Sequence, residues 1–280
     1  VYFPNTRACG TSTEVSVPCM LSPFGRADYD ERKIRRHESL PQLLGRAGLR
    51  SAWLDNQSGC KGLCDRVPNS FTAKLPEGAA PLPAGLCDGE ECFDEALLHE
   101  LDKRIAALDP ARLQRGLVLV MHQMGSHGPA YFRRSPPELK PFKPECRSNA
   151  LQQCPREQVV NAYDNSIVYT DHVLAELIGW LKKQNQRPTS LLYIADHGES
   201  LGENNLYLHG LPYAIAPEVQ KKVPLITWFS PAFSQQLALD TQCVEGLKNQ
   251  AWHHDHLFHT VAGLFDLQTS LYEPALDLIH

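Results

Sequence analysis

No apolar run of about 18 residues occurs in the 280-residue sequence, so no segment of it reads as a membrane-spanning helix. No signal-peptide pattern opens it, and its first residues, VYFPNTRACG, read like the middle of a domain. We therefore expect a piece excised from a longer protein. Positive charge is not in surplus: Lys and Arg total 27 against 32 Asp and Glu, a net charge of −5, which argues against a nucleic-acid partner. No repeat and no low-complexity tract is present. No Cys-x2-Cys pair faces another, which counts against zinc fingers.

Cysteine itself is abundant. Of nine, eight fall in close pairs, Cys9/Cys19, Cys60/Cys64, Cys87/Cys92 and Cys146/Cys154, and Cys243 is left over. As disulfides, each pair closes a loop of roughly 5 to 11 residues, worth about 2–3 kcal/mol if the gain is chain entropy. Such pairs brace local loops and imply an oxidising compartment. They do not replace a core, because a chain of this length buries roughly 75% of its unfolded surface.

Apolar runs of strand type at 51–54, 117–121, 190–195 and 223–229 alternate with helical patterns at 39–48, 93–108 and 157–184. This predicts an α/β fold with a largely parallel central sheet flanked by helices. Pro224 suggests a strand start or an edge strand. The mixed-charge run DYDERKIRRH at 28–37 reads as a solvated face, and the Pro- and Gly-rich stretches 75–92 and 133–156 as loops.

Three polar stretches stand at element ends. In LLYIADHGESLGENNLYLHG (191–210), a strand delivers Asp196 and His197 side by side, a hard oxygen and an imidazole, a combination that suits zinc. His209 returns twelve residues later. The bland alternative has Asp196 capping a turn and His197 packed in the core. In ACGTSTEVSVPCM (8–20), small hydroxyl residues precede Glu14, a helix N-terminus signature. Backbone N–H groups there favour an anion, so this is a good place for a hydroxyl that must ionise or carry a phosphate. A plain N-cap is the alternative. In HQMGSHGP (122–129), His122 and His127 follow another strand. Sites in open α/β sheets lie at the carboxyl ends of strands, so the three stretches are expected to converge at one edge. Lys61, if held by a Cys60/Cys64 loop, offers a point charge to a phosphate; otherwise it is an ordinary surface lysine. His253-His254-Asp255-His256 resembles a metal cluster, but we read its histidines as partly exposed and structural.

CGTSTEVSVPCM, HQMGSHGPAYF and DHGESLGENNLYLHG together resemble the signature segments of the bacterial phosphoethanolamine transferases, the lipid A-modifying and mobile colistin-resistance enzymes of the alkaline phosphatase–sulfatase superfamily. The resemblance covers nearly the whole chain. It implies an alkaline phosphatase/sulfatase-like fold, with residues 1–280 as a single periplasmic catalytic domain. The N-terminal membrane domain, and the first part of the catalytic domain with its glutamate zinc ligand, would lie outside this chain.

The same resemblance makes Thr13 the nucleophile, and Thr13, Asp196 and His197 ligands of one Zn2+. His127 and His209 would hold the substrate phosphate or a second zinc, His122 would belong to the site, and Lys61 would contact the phosphate. Gln57 falls where the colistin-resistance enzymes carry an Asn that contacts the phosphoethanolamine. The expected activity is zinc-dependent transfer of phosphoethanolamine from phosphatidylethanolamine to lipid A through a phosphothreonine, giving polymyxin and colistin resistance. The expected location is the periplasmic face of the inner membrane, and a monomer is expected. A zinc phosphatase or phosphodiesterase of the same superfamily is the alternative, and a disulfide-braced binding module with structural His and Asp groups is a more distant one. A sulfatase nucleophile needs a Cys-x-Pro-x-Arg motif, which Cys19-Met20-Leu21-Ser22-Pro23 does not supply.

Overall fold

A computed structural model of the chain describes residues 1–64, 67–71, 75, 77–108, 110–184 and 187–279; Pro76, inside the expected loop 75–92, lies outside them. In chain order the elements are strand β1 (Tyr2–Arg7), helices α1 (Thr13–Met20), α2 (Glu31–Arg36) and α3 (Leu40–Arg46), strands β2 (Arg50–Asp55) and β3 (Asn69–Phe71), helices α4 (Leu101–Ala106) and α5 (Pro110–Leu113), and strand β4 (Leu117–His122). Then follow the long helix α6 (Arg156–Lys182), strands β5 (Ser190–Ile194), β6 (Ser200–Leu201), β7 (Tyr207–Leu208) and β8 (Lys222–Phe229), helices α7 (Pro231–Gln236) and α8 (Thr241–Gly246), strand β9 (Trp252–His253) and helix α9 (Asp255–Leu264). The elements group into two compact units: residues 1–40, 178–200 and 209–280, and residues 41–177 and 201–208.

The first unit is built on a four-stranded sheet in the order β5-β8-β1-β9. Strands β5 and β1 both pair antiparallel with β8, and β9 pairs parallel with β1, so β8 alone opposes the rest of that sheet. Phe3, Leu225, Val244, Trp252 and Leu278 form its core, with Phe3 edge-on to Trp252 at 6.0 Å between ring centres. Pro224 is neither at an edge nor at the first position of its strand, since β8 lies between β5 and β1. The partner strand accommodates the missing N–H: the β1 register shifts between Phe3 and Thr6, which face Leu225 and Val223, so two β1 residues stand opposite Pro224.

The second unit carries the parallel sheet β3-β2-β4. Ser51 to Asp55 are all buried, as expected of a parallel strand covered on both faces. The α/β prediction holds, but the expected largely parallel central sheet is instead mixed: β3, β2 and β4 pair parallel, whereas two of the three pairings in the four-stranded sheet are antiparallel because β8 runs against β5 and β1. The long helix runs where its pattern placed it, and Asn165 is buried and bonded to both backbone groups of Phe142. Ile167, one of the apolar residues of that pattern, is 45% exposed. The helix expected over 93–108 is broken into a 3-10 turn at Asp94–Leu97 and α4, with Glu100 between them at φ 54°. The polar residues of its first turn are committed to tertiary partners: Asp94 accepts from the N–H groups of Met124 and Gly125, and Glu95 accepts from the Tyr169 hydroxyl. Those bonds override the apolar spacing. The charge run 28–37 contains the short exposed helix α2, with Ile34 alone of its six residues buried.

Candidate active site

The first unit builds its site on the loop between β1 and α1. Ala8 N–H donates to the Lys221 carbonyl at 2.7 Å, and the Tyr213 hydroxyl donates to the Ala8 carbonyl at 3.1 Å. Cys9 N–H donates to His254 Nδ1 at 3.1 Å, and Gly10 N–H to Ser16 Oγ at 2.9 Å. The Thr11 hydroxyl donates to the Leu211 carbonyl, and the Thr11 carbonyl accepts from Gly210 N–H. The Ser12 carbonyl takes the N–H groups of Val15 and Ser16, starting the helix. A disulfide joins Cys9 to Cys19 in the last turn of α1, and both are buried against Ile34. A small-residue loop, which would otherwise be free to move, is therefore tied at each position.

It holds Thr13 in the first turn of α1. The Thr13 hydroxyl donates to Asp196 Oδ2 at 2.5 Å and lies 3.5 Å from His197 Nε2, and that nitrogen is 3.6 Å from Asp196 Oδ2. Three potential ligand atoms thus face one another across a triangle. His197 Nδ1 sits 2.9 Å from the Gly198 carbonyl. A hydrogen on that nitrogen leaves Nε2 with its lone pair toward Thr13, the arrangement that outer-shell carbonyls impose on metal-binding histidines. The sharp turn requires Gly198, since a Cβ there would lie 1.9 Å from the Val219 carbonyl oxygen.

His209 returns to this site, its ring 4.0 Å from that of His197, centre to centre. Glu199, which we did not single out in the sequence, is the group that holds it: both Glu199 oxygens lie within 3.2 Å of His209 Nδ1. Burial disfavours charged His209, but the hydrogen bond and charge of Glu199 outweigh it, and the pKa is raised. His197, Glu199 and His209 each offer one atom within 4.8 Å of the others and could hold a metal ion. Two donor sets therefore share His197, this one and Thr13, Asp196 and His197.

His254 was read as a partly exposed structural residue. It is instead fully buried, as is His259 at 1% exposure, while His253 is exposed. Burial pushes the His254 pKa down to about 4, so it is a neutral imidazole. The only hint in the sequence was the histidine cluster itself, which carries no sign of which member turns inward.

His122, His127, Lys61 and Gln57 belong to the second unit. Asp55 ends β2 and His122 ends β4, directly opposite in the ladder, with Asp55 Oδ2 2.9 Å from His122 Nδ1. Asp55 also accepts from Trp53 Nε1 and from the N–H groups of Gln57 and Gly59. Burial would raise its pKa, but these bonds outweigh burial and hold it at about 2. The polar loop that follows wraps this carboxylate. Lys61, in the Cys60–Cys64 disulfide loop, donates to Ser58 Oγ at 2.6 Å, and Gln57 Oε1 accepts from the N–H of Ser58 at 2.5 Å. The His127 carbonyl accepts from Arg134 Nε at 2.8 Å, and Arg134 is paired with Glu91 through both terminal nitrogens. The disulfides Cys87–Cys92 and Cys146–Cys154 complete the four expected pairs, and Cys243 is free and exposed.

Residues 1–267 match the sulfatase family model. The chain belongs to the sulfatase family. Within it the chain is 44% identical to phosphoethanolamine transferase EptA of Escherichia coli K12, over all of this chain and 50% of the relative. It is 37% identical to phosphatidylethanolamine transferase Mcr-1 of Escherichia coli, over 95% of this chain and 47% of the relative. The chain thus spans about half the length of the curated relatives it matches. Its fold is that of the soluble domain of lipooligosaccharide phosphoethanolamine transferase A from Neisseria meningitidis, with a TM-score of 0.91 and 40% identity over all of this chain and 81% of that one. The C-terminal periplasmic domain of EptC from Campylobacter jejuni gives a TM-score of 0.83 and 38% identity, over all of this chain and 82% of that one. The resemblance read from the three signature segments, and the alkaline phosphatase/sulfatase-like fold it implied, are borne out.

Proposed function

We propose that this chain is the periplasmic catalytic part of an inner-membrane enzyme that moves phosphoethanolamine from phosphatidylethanolamine to lipid A, with Thr13 as nucleophile and one zinc held by Thr13, Asp196 and His197. The observation that carries the reading is the Thr13 hydroxyl at 2.5 Å from Asp196 and 3.5 Å from His197, at a helix N-terminus. Two oxygens and one imidazole nitrogen suit zinc. Tetrahedral ligands at about 2.0–2.1 Å from zinc stand about 3.3 Å apart, close to the two longer sides of the triangle, 3.5 and 3.6 Å. The four disulfides fit the periplasm.

A threonine hydroxyl is a poor nucleophile at neutral pH. Bound zinc lowers the pKa of coordinated water to about 7, and a coordinated hydroxyl responds in the same sense. The Thr13 hydrogen already points at Asp196 Oδ2. In the first half-reaction Thr13 Oγ1 bonds to phosphorus, the bond to the diacylglycerol oxygen breaks, and the proton given up by Thr13 is returned to that oxygen. In the second, a lipid A phosphate oxygen takes the phosphorus and Thr13 regains a proton. The α1 N-terminus favours the phosphothreonine. His209, held by Glu199, is assigned to the phosphoryl oxygens. Lys61, His122 and His127 carry charge-stabilising roles in this proposal by resemblance alone, and the role of Gln57 rests on the same ground. Transfer to lipid A would give polymyxin and colistin resistance.

The test is intact mass after exposure to a phosphatidylethanolamine analogue, together with transfer by the full-length protein. Wild type should show a phosphoethanolamine adduct on Thr13 and near-stoichiometric zinc, and Thr13→Ala should lose both adduct and transfer. Transfer that survives in Thr13→Ala would sink the proposal. Release of phosphoethanolamine to water at full rate without acceptor would favour a phosphodiesterase.

A further inference from the structure

His254 touches neither the Thr13 hydroxyl nor any residue offered as a metal ligand in the hydrogen bonds described, yet it joins the segments that carry them. Its Nδ1 accepts the N–H of Cys9 at 3.1 Å, four residues before Thr13. Its Nε2 lies 3.0 Å from the carbonyl of Ala195, the residue before Asp196. A carbonyl can only accept, so Nε2 carries the hydrogen, and a backbone N–H can only donate, so Nδ1 carries the lone pair. Both ring nitrogens are spent on backbone, and the ring is fully buried. Any buried imidazole needs a partner for its N–H and for its lone pair; here the two partners are the nucleophile loop and the end of β5, the segments that carry Thr13 and Asp196.

The ring is itself held from both sides. The N–H of His254 donates to the Arg7 carbonyl at 2.9 Å, which continues the parallel pairing of β9 with β1. Asp255 accepts from the N–H groups of Arg26 and Ala27. Its Cβ and carboxyl fill the space over Gly25, where an added Cβ would approach to 2.4 Å. The start of α9 is thus anchored independently of the site, and His254 projects from it as a fixed spacer. We infer that His254 is a positioning residue, which sets the separation of Thr13 from Asp196 by bonding one nitrogen to each of the two backbones that carry them. The inference rests on the reading of Thr13, Asp196 and His197 as metal ligands.

Groups behind the ligands are worth about 10–100-fold in metal affinity when they fix ligand geometry. The measurements are the affinity of the full-length protein for zinc ions alone, by competition with a chelating dye, the thermal midpoint, and the imidazole tautomer by 15N spectroscopy. Wild type should show His254 with hydrogen on Nε2 and none on Nδ1. His254→Leu, which removes both bonds, should weaken zinc binding about tenfold or more in the folded protein. His254→Gln, which retains an amide N–H for the Ala195 carbonyl, should fall between them and decides the question if the Leu variant does not fold. A lower thermal midpoint with unchanged zinc affinity would reduce His254 to a structural residue and overturn the inference, as would the opposite tautomer. A full-length wild-type protein that binds no zinc would overturn the metal reading, and this inference with it.

Discussion

Gly198 separates His197 from Glu199, and the Val219 carbonyl stands where its Cβ would be. The obstacle is backbone, so no side-chain rotation can relieve it. Gly198→Ala should therefore cost about 1–3 kcal/mol, as overpacking does, visible as a lower thermal midpoint, and should weaken metal binding because His197 is displaced. Unchanged stability would show that residues 217–220 give way freely. Asp55 makes a different demand. With four donors on it, it stays ionised and fixes the hydrogen of His122 on Nδ1. Asp55→Asn keeps the shape and loses that preference, so the transfer rate should fall about 10–100-fold, with KM changed less than kcat. An unaltered rate would mean that the His122 tautomer has no part in the reaction. Neither partner of these pairs was visible beforehand. The sequence marked His122 and His197, because imidazoles at strand ends are conspicuous, but a carboxylate such as Asp55 becomes a partner only once strands are registered, and a carbonyl such as that of Val219 becomes an obstacle only once the chain has folded over Gly198.

Among the elements, α1 depends most on its surroundings. It has eight residues, with Pro18 inside it, too short to persist alone. The Cys9–Cys19 bridge spans ten residues and ties the loop before α1 to its last turn. Replacing both cysteines with Ala should lower the unfolding free energy by about 2–3 kcal/mol, measured by denaturant titration, with looser Thr13 geometry reported by weaker metal binding. A double variant as stable as wild type would mean that the bonds of residues 8–12 suffice. Elements of this kind divided sharply in how well the sequence announced them. Strands β2, β4, β5 and β8 and helix α6 were legible because long apolar runs or regular spacing fix them locally. Strand β1, with Pro4 in it, and the two-residue β9 were not, because each forms by pairing with residues distant in sequence. The break in 93–108 was equally hidden, since Asp94 and Glu95 answer to Met124, Gly125 and Tyr169 rather than to their own helix.

At the scale of the whole chain, composition and signature segments pointed to the family and, through the cysteines, to an oxidising compartment. The interleaving of three separated stretches into one unit left no such trace. Its consequence for stability is that histidines near the C-terminus are buried against residues near the start. Burial lowers the pKa values of His254, His256 and His259. The unfolded chain binds protons at these histidines near pH 6.5, and the folded chain only at lower pH, so the unfolded state holds more protons in between. Stability from this source is full above about pH 6.5 and is lost as the pH falls toward the folded value, about 4 for His254. His254 alone accounts for a loss on the order of 1 kcal/mol at pH 5.5. His209, raised by Glu199, works in the opposite sense and offsets part of it. Guanidinium midpoints at pH 7.5 and 5.5, with chelator present so that metal release does not contribute, should show wild type weaker at the lower pH, and His254→Gln should lose less between the two. A wild-type midpoint that does not move, or a variant with the same slope, would mean that His254 is not held neutral inside the fold.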